Sequence, residues 1–174
     1  PACIEEVNCL AAASKLSVEA VLADLASAPL GGPYDGAYCL GNSFGYFDPD
    51  DTRGFCERVA GSLRPGARFV VHTAMAAESF LPEFREREWI AAAGFTCLLE
   101  CGYDAERSVA ELHYTFLQGG RTEKHSSEHH VYTVGEIGRL LAGAGFRVLA
   151  TAGAVDGTPF ELGDHQLYLV AEKR

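Results

Sequence analysis

The chain has 174 residues, of which 48% are hydrophobic and 22% charged, as expected for one globular domain with a sizeable core. A formal net charge of -10 argues against a nucleic-acid partner or an anionic membrane surface, because no basic stripe is present to neutralise phosphates. The six cysteines show no metal-ligand spacing, and neither a signal peptide nor a membrane-spanning run is visible. These features predict a cytoplasmic protein with reduced thiols and no metal site.

The first part of the chain alternates between helix and strand patterns. Apolar residues at helical spacing predict a helix that ends near Lys15, and residues 18–22 are interpreted as a short strand. Residues 36–40 are predicted as the second strand, 52–63 as a helix, and 69–72 as the third strand. A strand, a helix and a strand in this order form a βαβ unit, which indicates a parallel sheet.

The middle of the chain has a different pattern. Residues 76–89 are charged and are predicted to be helical, and three extended segments follow at 95–103, 109–117 and 123–132. Short turn sequences separate these three segments, as in β-hairpins. The pattern therefore predicts a three-stranded antiparallel meander inserted into a parallel fold.

The last part of the chain returns to the helix and strand patterns of the first. Thr133 and Glu136 form a capping box at the start of a helix, which Gly145 ends. Two further strands are predicted at 147–151 and 166–171.

One stretch is the first candidate for a ligand site. The strand at 36–40 ends abruptly in Gly41, Asn42 and Ser43, and aromatic residues follow. In open α/β sheets, ligands bind just beyond the carboxyl ends of the strands, so this stretch is a candidate ligand lip. An ordinary strand-to-helix turn is the alternative.

Four segments follow one another along the chain: VLADL at 21–25, YDGAYCLGNSFGYF at 34–47, LRPGARFVV at 63–71 and LLAGAGF at 140–146. In this order they resemble the latter part of a class I S-adenosylmethionine-dependent methyltransferase. The first is similar to the end of such an enzyme's third strand, and the second to its fourth strand and loop. The third is similar to the turn into the fifth strand, and the fourth to the last helix. The resemblance covers nearly the whole chain.

This resemblance implies an α/β fold with a Rossmann-like methyltransferase sheet that is N-terminally truncated and carries the antiparallel meander as a lid. It divides the chain into a partial cofactor-binding core at 1–75, a helix plus lid at 76–132, and a C-terminal helix and strand hairpin at 133–174. The implied cofactor is S-adenosylmethionine, which leaves as S-adenosylhomocysteine.

The resemblance also assigns the cofactor contacts. Asp24 and the main chain of Leu25 would bind the adenine edge, although Asp24 also fits a simple turn after a strand. The backbone after the fourth strand would contact the methionine part of the cofactor, and small residues there permit close approach. These residues are Cys39, Leu40, Gly41 and Asn42.

The lid sequence EHHVYT at 128–133 resembles that of small-molecule N-methyltransferases, in which a His-Arg pair is common. His129 is the first candidate for a general base and His130 the second, because a histidine titrates near working pH. A structural histidine is the alternative. The predicted substrate contacts, for which core packing or solvation is the alternative, are Ser43, Phe44, Tyr46, Arg87 and Trp89.

The sequence lacks the glycine-rich first turn and the acidic second strand of this family. In the family's strand order, 3-2-1-4-5-7-6, the third strand would then pair with the fourth, pair with another chain, or remain an open edge. A longer enzyme, a homodimer or second chain that completes the sheet, and a relative without cofactor use all remain open. The leading prediction is methyl transfer to a small-molecule amine or hydroxyl, by the chain itself or as the C-terminal portion of an enzyme. The alternative is a methyltransferase-like module that binds a small molecule or partner.

Overall fold

A computed structural model describes residues 2–92 and 94–174, and these residues form two four-stranded sheets with helices. No helix in these ranges is long and apolar enough to cross a membrane. The helices are α1 (Ala2–Ser14), α2 (Pro49–Ser62), α3 (Ala77–Phe80) and α4 (Val134–Gly143), with a 3-10 turn at Ser43–Gly45. The strands are β1 (Tyr34–Cys39), β2 (Leu63–Thr73), β3 (Arg87–Ala92), β4 (Phe95–Asp104), β5 (Val109–Gln118), β6 (Arg121–His130), β7 (Phe146–Ala152) and β8 (Leu167–Lys173).

The first sheet has the strand order β1-β2-β8-β7. Strand β1 is parallel to β2, and the other two pairs are antiparallel. This order matches the 4-5-7-6 part of the expected methyltransferase sheet and confirms the predicted α/β fold. Strand β1 lies at the edge of the sheet.

The helices begin where the sequence provides caps. The Asp48 carboxylate accepts the N–H groups of Asp50 and Asp51, both at 2.9 Å, at the start of α2. The predicted capping box at α4 is present, and Gly145 takes a positive φ of 90° directly after that helix. Both helices pack their apolar faces on the first sheet, where Phe69 is 1% exposed.

The second sheet corrects two sequence predictions. It contains four antiparallel strands, β3-β4-β5-β6, instead of three. The predicted helix at 76–89 is confined to α3, residues 81–86 form neither helix nor strand, and residues 87–89 lie in β3. Pro82 explains the early end of the helix, because proline has no N–H to continue the helical hydrogen bonds.

The strand predicted at 18–22 is absent, since residues 16–24 are all described and form neither helix nor strand. Val21 and Leu22 have the apolar, branched character of strand residues, yet they are 67% and 70% exposed. A strand is stabilised by a neighbour that completes its hydrogen bonds and covers its side chains. No described strand pairs with this segment, so it does not form the strand that its sequence favours.

Candidate functional site

The predicted ligand lip lies at the carboxyl end of β1. Gly41 and Asn42 have φ values of 69° and 66°, so the backbone turns sharply through two left-handed residues. The Gly41 N–H donates to His72 Nδ1 at 3.2 Å, and the Ala74 N–H donates to Asn42 Oδ1 at 2.7 Å. The lip is therefore fastened to the adjacent end of β2 by two hydrogen bonds.

His72 was not among the predicted site residues, although it anchors the lip. Its Nδ1 accepts a hydrogen bond, so its Nε2 carries the proton and donates to Gln166 Oε1 at 3.0 Å. The imidazole also stacks on Tyr168, with ring centroids 4.6 Å apart. The available sequence signal was that the predicted strand 69–72 ends at His72, on the same sheet edge as the lip.

A central cavity of about 400 Å³ lies between the lip and the second sheet. The lip contributes Gly41 and Asn42, and the second sheet contributes Tyr114 and His129. The segment from α3 to β3 contributes acidic and aromatic side chains and one arginine to the lining of the cavity. These residues are Phe80, Glu83, Phe84, Arg85 and Glu88.

His129 is the buried titratable group of this cavity. It is 2% exposed, its ring centroid lies 4.0 Å from that of Tyr46, and its Nδ1 has no hydrogen-bond partner among the described residues. Burial, and then the neighbouring His130, lower the pKa of His129 below its ordinary value of 6.5. A neutral imidazole has one ring nitrogen with a free lone pair, so His129 can accept a proton at neutral pH.

The lowered pKa of His129 predicts a pH dependence of stability. Below pH 6.5 the unfolded chain binds a proton at His129 that the folded chain resists, so the free energy of unfolding falls as the pH falls from 6.5. We expect His129→Gln to flatten this slope in urea unfolding between pH 5 and 8, while the exposed control His113→Gln retains it. A wild-type slope in His129→Gln would contradict this assignment.

Gly45 permits the close approach of the 3-10 turn to the end of β6. A Cβ added at Gly45 would lie 2.9 Å from the His130 carbonyl oxygen and 3.2 Å from His129 Nδ1. We expect Gly45→Ala to lower the free energy of unfolding by about 1–3 kcal/mol, because backbone must move to relieve the clash. Urea unfolding measures this change.

The matched control is Gly61→Ala in α2, where an added Cβ meets nothing within 4 Å. Alanine there is expected to stabilise the helix by about 0.5–1 kcal/mol. Equal effects of the two substitutions would show that the contact between the 3-10 turn and β6 is not close in solution.

Only one of the predicted substrate contacts lines the central cavity, and it is Tyr46. Phe44 is buried in the core, and core packing was the alternative to a substrate contact for this residue. Ser43 donates its hydroxyl to the Leu40 carbonyl at 2.9 Å. Arg87 pairs with Glu100 at 3.2 Å, and Trp89 is 78% exposed. Both lie on β3, whose residues are all exposed, instead of on the predicted helix.

The predicted cofactor residues other than Gly41 and Asn42 lie near a second concavity, the β1 groove, of about 440 Å³. This groove is lined mainly by apolar groups, including Leu25, Cys39 and Leu40. Burial raises the pKa of the Cys39 thiol to about 11, so it is an apolar group and not a nucleophile. Asp24 lies in an exposed turn, where its carboxylate accepts the Ala26 N–H at 2.9 Å.

The two adjacent histidines have different surroundings. His129 lines the central cavity, whereas His130 lines a third cavity formed with α2 and α4. Successive side chains of a strand point to opposite faces, which explains the separation. Of the two predicted bases, only His129 lies beside the lip.

Comparison with known structures finds similar folds among methyltransferases. A S-adenosylmethionine-dependent methyltransferase from Clostridium acetobutylicum matches 97% of this chain and 70% of its own, with a TM-score of 0.80 and 14% identity. The CcbJ methyltransferase from Streptomyces caelestis matches 98% of this chain and 75% of its own, with a TM-score of 0.84 and 17% identity. The sugar N-methyltransferase KedS8 from Streptoalloteichus matches with a TM-score of 0.66 and 21% identity over 95% of this chain and 66% of its own. No protein-family model and no curated protein matches the sequence.

Proposed function

We propose that this chain, which has the fold of class I S-adenosylmethionine-dependent methyltransferases, takes part in methyl transfer to an amine of a small molecule. One observation carries the proposal. The lip residues Gly41 and Asn42 and the buried His129 line the same cavity, so a group held at the lip would meet a substrate beside a proton acceptor.

The residues near the lip fit S-adenosylmethionine along one wall. The β1 groove offers an apolar face beside Leu25 and Leu40 that suits a purine ring. Asp24 retains acceptor capacity beyond its turn, because a carboxylate has about four lone-pair sites. An added Cβ at Gly41 meets nothing within 4 Å, so the space in front of the lip is open. When bound, S-adenosylmethionine supplies an electrophilic methyl group on a sulfonium.

The lining of the cavity favours an amine over a hydroxyl substrate. Glu83 and Glu88 place two carboxylates on the lining against the single Arg85. The aromatic rings of Tyr46 and Tyr114 also line the cavity, and aromatic faces attract cations. An ammonium group that enters this cavity meets both kinds of partner. The structurally similar KedS8 is a sugar N-methyltransferase, which agrees with this choice of atom.

The proposed chemistry requires little of the protein beyond position and a proton acceptor. The lip, fixed by His72 and Ala74, presents a rigid surface, and alignment of two reactants lowers the barrier by removing their translational freedom. His129 accepts a proton from the substrate ammonium, which frees the nitrogen lone pair that would form the new N–C bond as the S–C bond of the sulfonium breaks. Its burial keeps it neutral, and therefore able to act, at neutral pH.

The proposal is tested by calorimetric titration of the chain with S-adenosylmethionine. We expect saturable binding that Asp24→Ala weakens by about 10- to 100-fold, because a hydrogen bond to a charged group contributes about 1.5–3 kcal/mol. The matched control is Asp156→Ala. Asp156 holds a turn in the same way, by accepting the Thr158 N–H at 3.0 Å, but lies far along the chain.

Two outcomes of the titration would count against the proposal. No binding by the folded chain would favour the alternative, a methyltransferase-like module that binds a small molecule or partner without the cofactor. Equal weakening by Asp24→Ala and Asp156→Ala would remove Asp24 from the adenine site and leave it as a turn residue.

A further inference from the structure

A third cavity, which we call the arginine cavity, has a volume of about 470 Å³ and lies on the opposite side of β6 from His129. Four parts of the chain form it: the start of α2, the turn between β4 and β5, the segment after β6, and α4. It contains His130, the second candidate base of the sequence analysis, but none of the residues to which the proposed function gives a role in cofactor binding or proton transfer. Any ligand of this cavity is therefore separate from the methyl-transfer site.

The charge of the arginine cavity is opposite to that of the chain. Arg53, Arg107 and Arg139 line it, against the single carboxylate of Glu136, in a chain with a formal net charge of -10. The Glu136 carboxylate is already engaged, because it accepts the N–H and the hydroxyl of Thr133, both at 2.8 Å. The lining therefore offers three guanidinium groups to an anion, in a protein whose overall charge repels anions.

The arginines are available to a ligand. Arg53 pairs with Asp50 at 3.1 Å, in an exposed ion pair. Arg107 pairs with Glu128 at 2.8 Å, and also lies 3.7 Å from Glu111 and 4.0 Å from Asp104, in pairs that are at least one-third exposed. Exposed ion pairs contribute about 0–1 kcal/mol, so a ligand anion can replace these carboxylates at little cost. Arg139 forms no ion pair with any described residue. Guanidinium groups bind phosphate and carboxylate through paired hydrogen bonds.

The rest of the lining is apolar and partly planar. Val131, which is buried, and Leu140 both line the cavity. The rings of His130 and Tyr132 stack with an angle of 24° between their planes and centroids 6.2 Å apart. These two rings give the cavity a flat wall against which another ring can pack.

The geometry points to a second binding site in the arginine cavity, for a small organic anion in which a phosphate or carboxylate is attached to a planar ring. The anionic group binds between the arginines, and the ring packs against His130 and Tyr132. This site goes beyond the proposed function and does not depend on it.

Phenyl phosphate is the probe, titrated calorimetrically into the full chain at low salt. We expect it to bind at least about tenfold more tightly than inorganic phosphate or phenol alone, because the phosphate and the phenyl ring each contribute to the binding free energy. The double variant Arg53→Gln/Arg139→Gln should weaken phenyl phosphate by about tenfold or more. The control Arg121→Gln/Lys124→Gln removes the same charge from exposed positions at the other end of β6 and should weaken it by less than about threefold.

Three results would overturn the inference. Phenyl phosphate could bind no better than inorganic phosphate, the two double variants could weaken it equally, or the wild-type chain could fail to bind it. Circular dichroism checks that each variant is folded. If the Arg53→Gln/Arg139→Gln chain does not fold, Arg139→Gln alone provides the test, with an expected weakening of about threefold or more, because that side chain is exposed and makes no ion pair with a described residue.

Discussion

Replacing His129 by glutamine is expected to lower the rate of methyl transfer by about 10²- to 10⁴-fold, the usual contribution of a general base. Glutamine has a similar shape but cannot accept the proton from the amine. The measurement is single-turnover formation of S-adenosylhomocysteine with a panel of small amines and amino sugars. Cofactor affinity should change little, because His129 lines the central cavity and none of the residues that line the β1 groove does.

The control for this prediction is the next residue. His130→Gln makes the same chemical change one position along β6, at a side chain that lines the arginine cavity. We expect it to reduce the rate by less than about threefold, as for a surface substitution away from the reacting groups. Equal losses in the two variants, or a rate within about threefold of wild type in His129→Gln, would exclude His129 as the base.

The largest expected effect on stability comes from Phe69→Ala in β2. Phe69 is 1% exposed, and its ring lies 6.4 Å from that of Phe55 in α2 and 5.7 Å from that of Phe146 in β7. Removing a buried phenyl ring loses its transfer free energy and leaves a cavity, at a combined cost of about 3–5 kcal/mol. The total stability of a domain is about 5–15 kcal/mol, so this loss is large.

Urea unfolding of Phe69→Ala should be compared with that of Tyr38→Ala. Tyr38 lies on the neighbouring strand and is paired with Val70, but its side chain is 76% exposed. Its removal should cost about 1 kcal/mol or less, the range of strand propensities. A loss below about 1 kcal/mol at Phe69 would mean that the three rings do not form a packed core.

The sequence predicted the parts of the fold that depend on short-range patterns. The capping box at Thr133 and the stop at Gly145 involve residues within one helical turn, and both are present. The strands of the first sheet were recognised from their apolar runs, and the family resemblance supplied their order. The predicted helix at 76–89 failed after its first turn, because Pro82 cannot donate the next helical hydrogen bond.

In the candidate site too, the sequence predicted the features that depend on neighbouring residues and missed those that depend on distant ones. The lip was predicted, because Gly41, Asn42 and Ser43 follow directly after an apolar strand. His72 was missed, because its contact with Gly41 joins residues that are 31 positions apart. Arg87 and Trp89 were assigned to the substrate on the basis of a helix that does not form, and Phe44 belongs to the core.

The sequence by itself therefore determined the α/β class, the caps and turns, and the lip, because each of these depends on residues close together in the chain. The tertiary structure alone decided which histidine lies beside the lip, since His129 and His130 differ only in the face of β6 from which they project. It also decided that residues 18–22 form no strand, because a strand is stabilised by a neighbour, and the chain's local sequence cannot specify whether one is present.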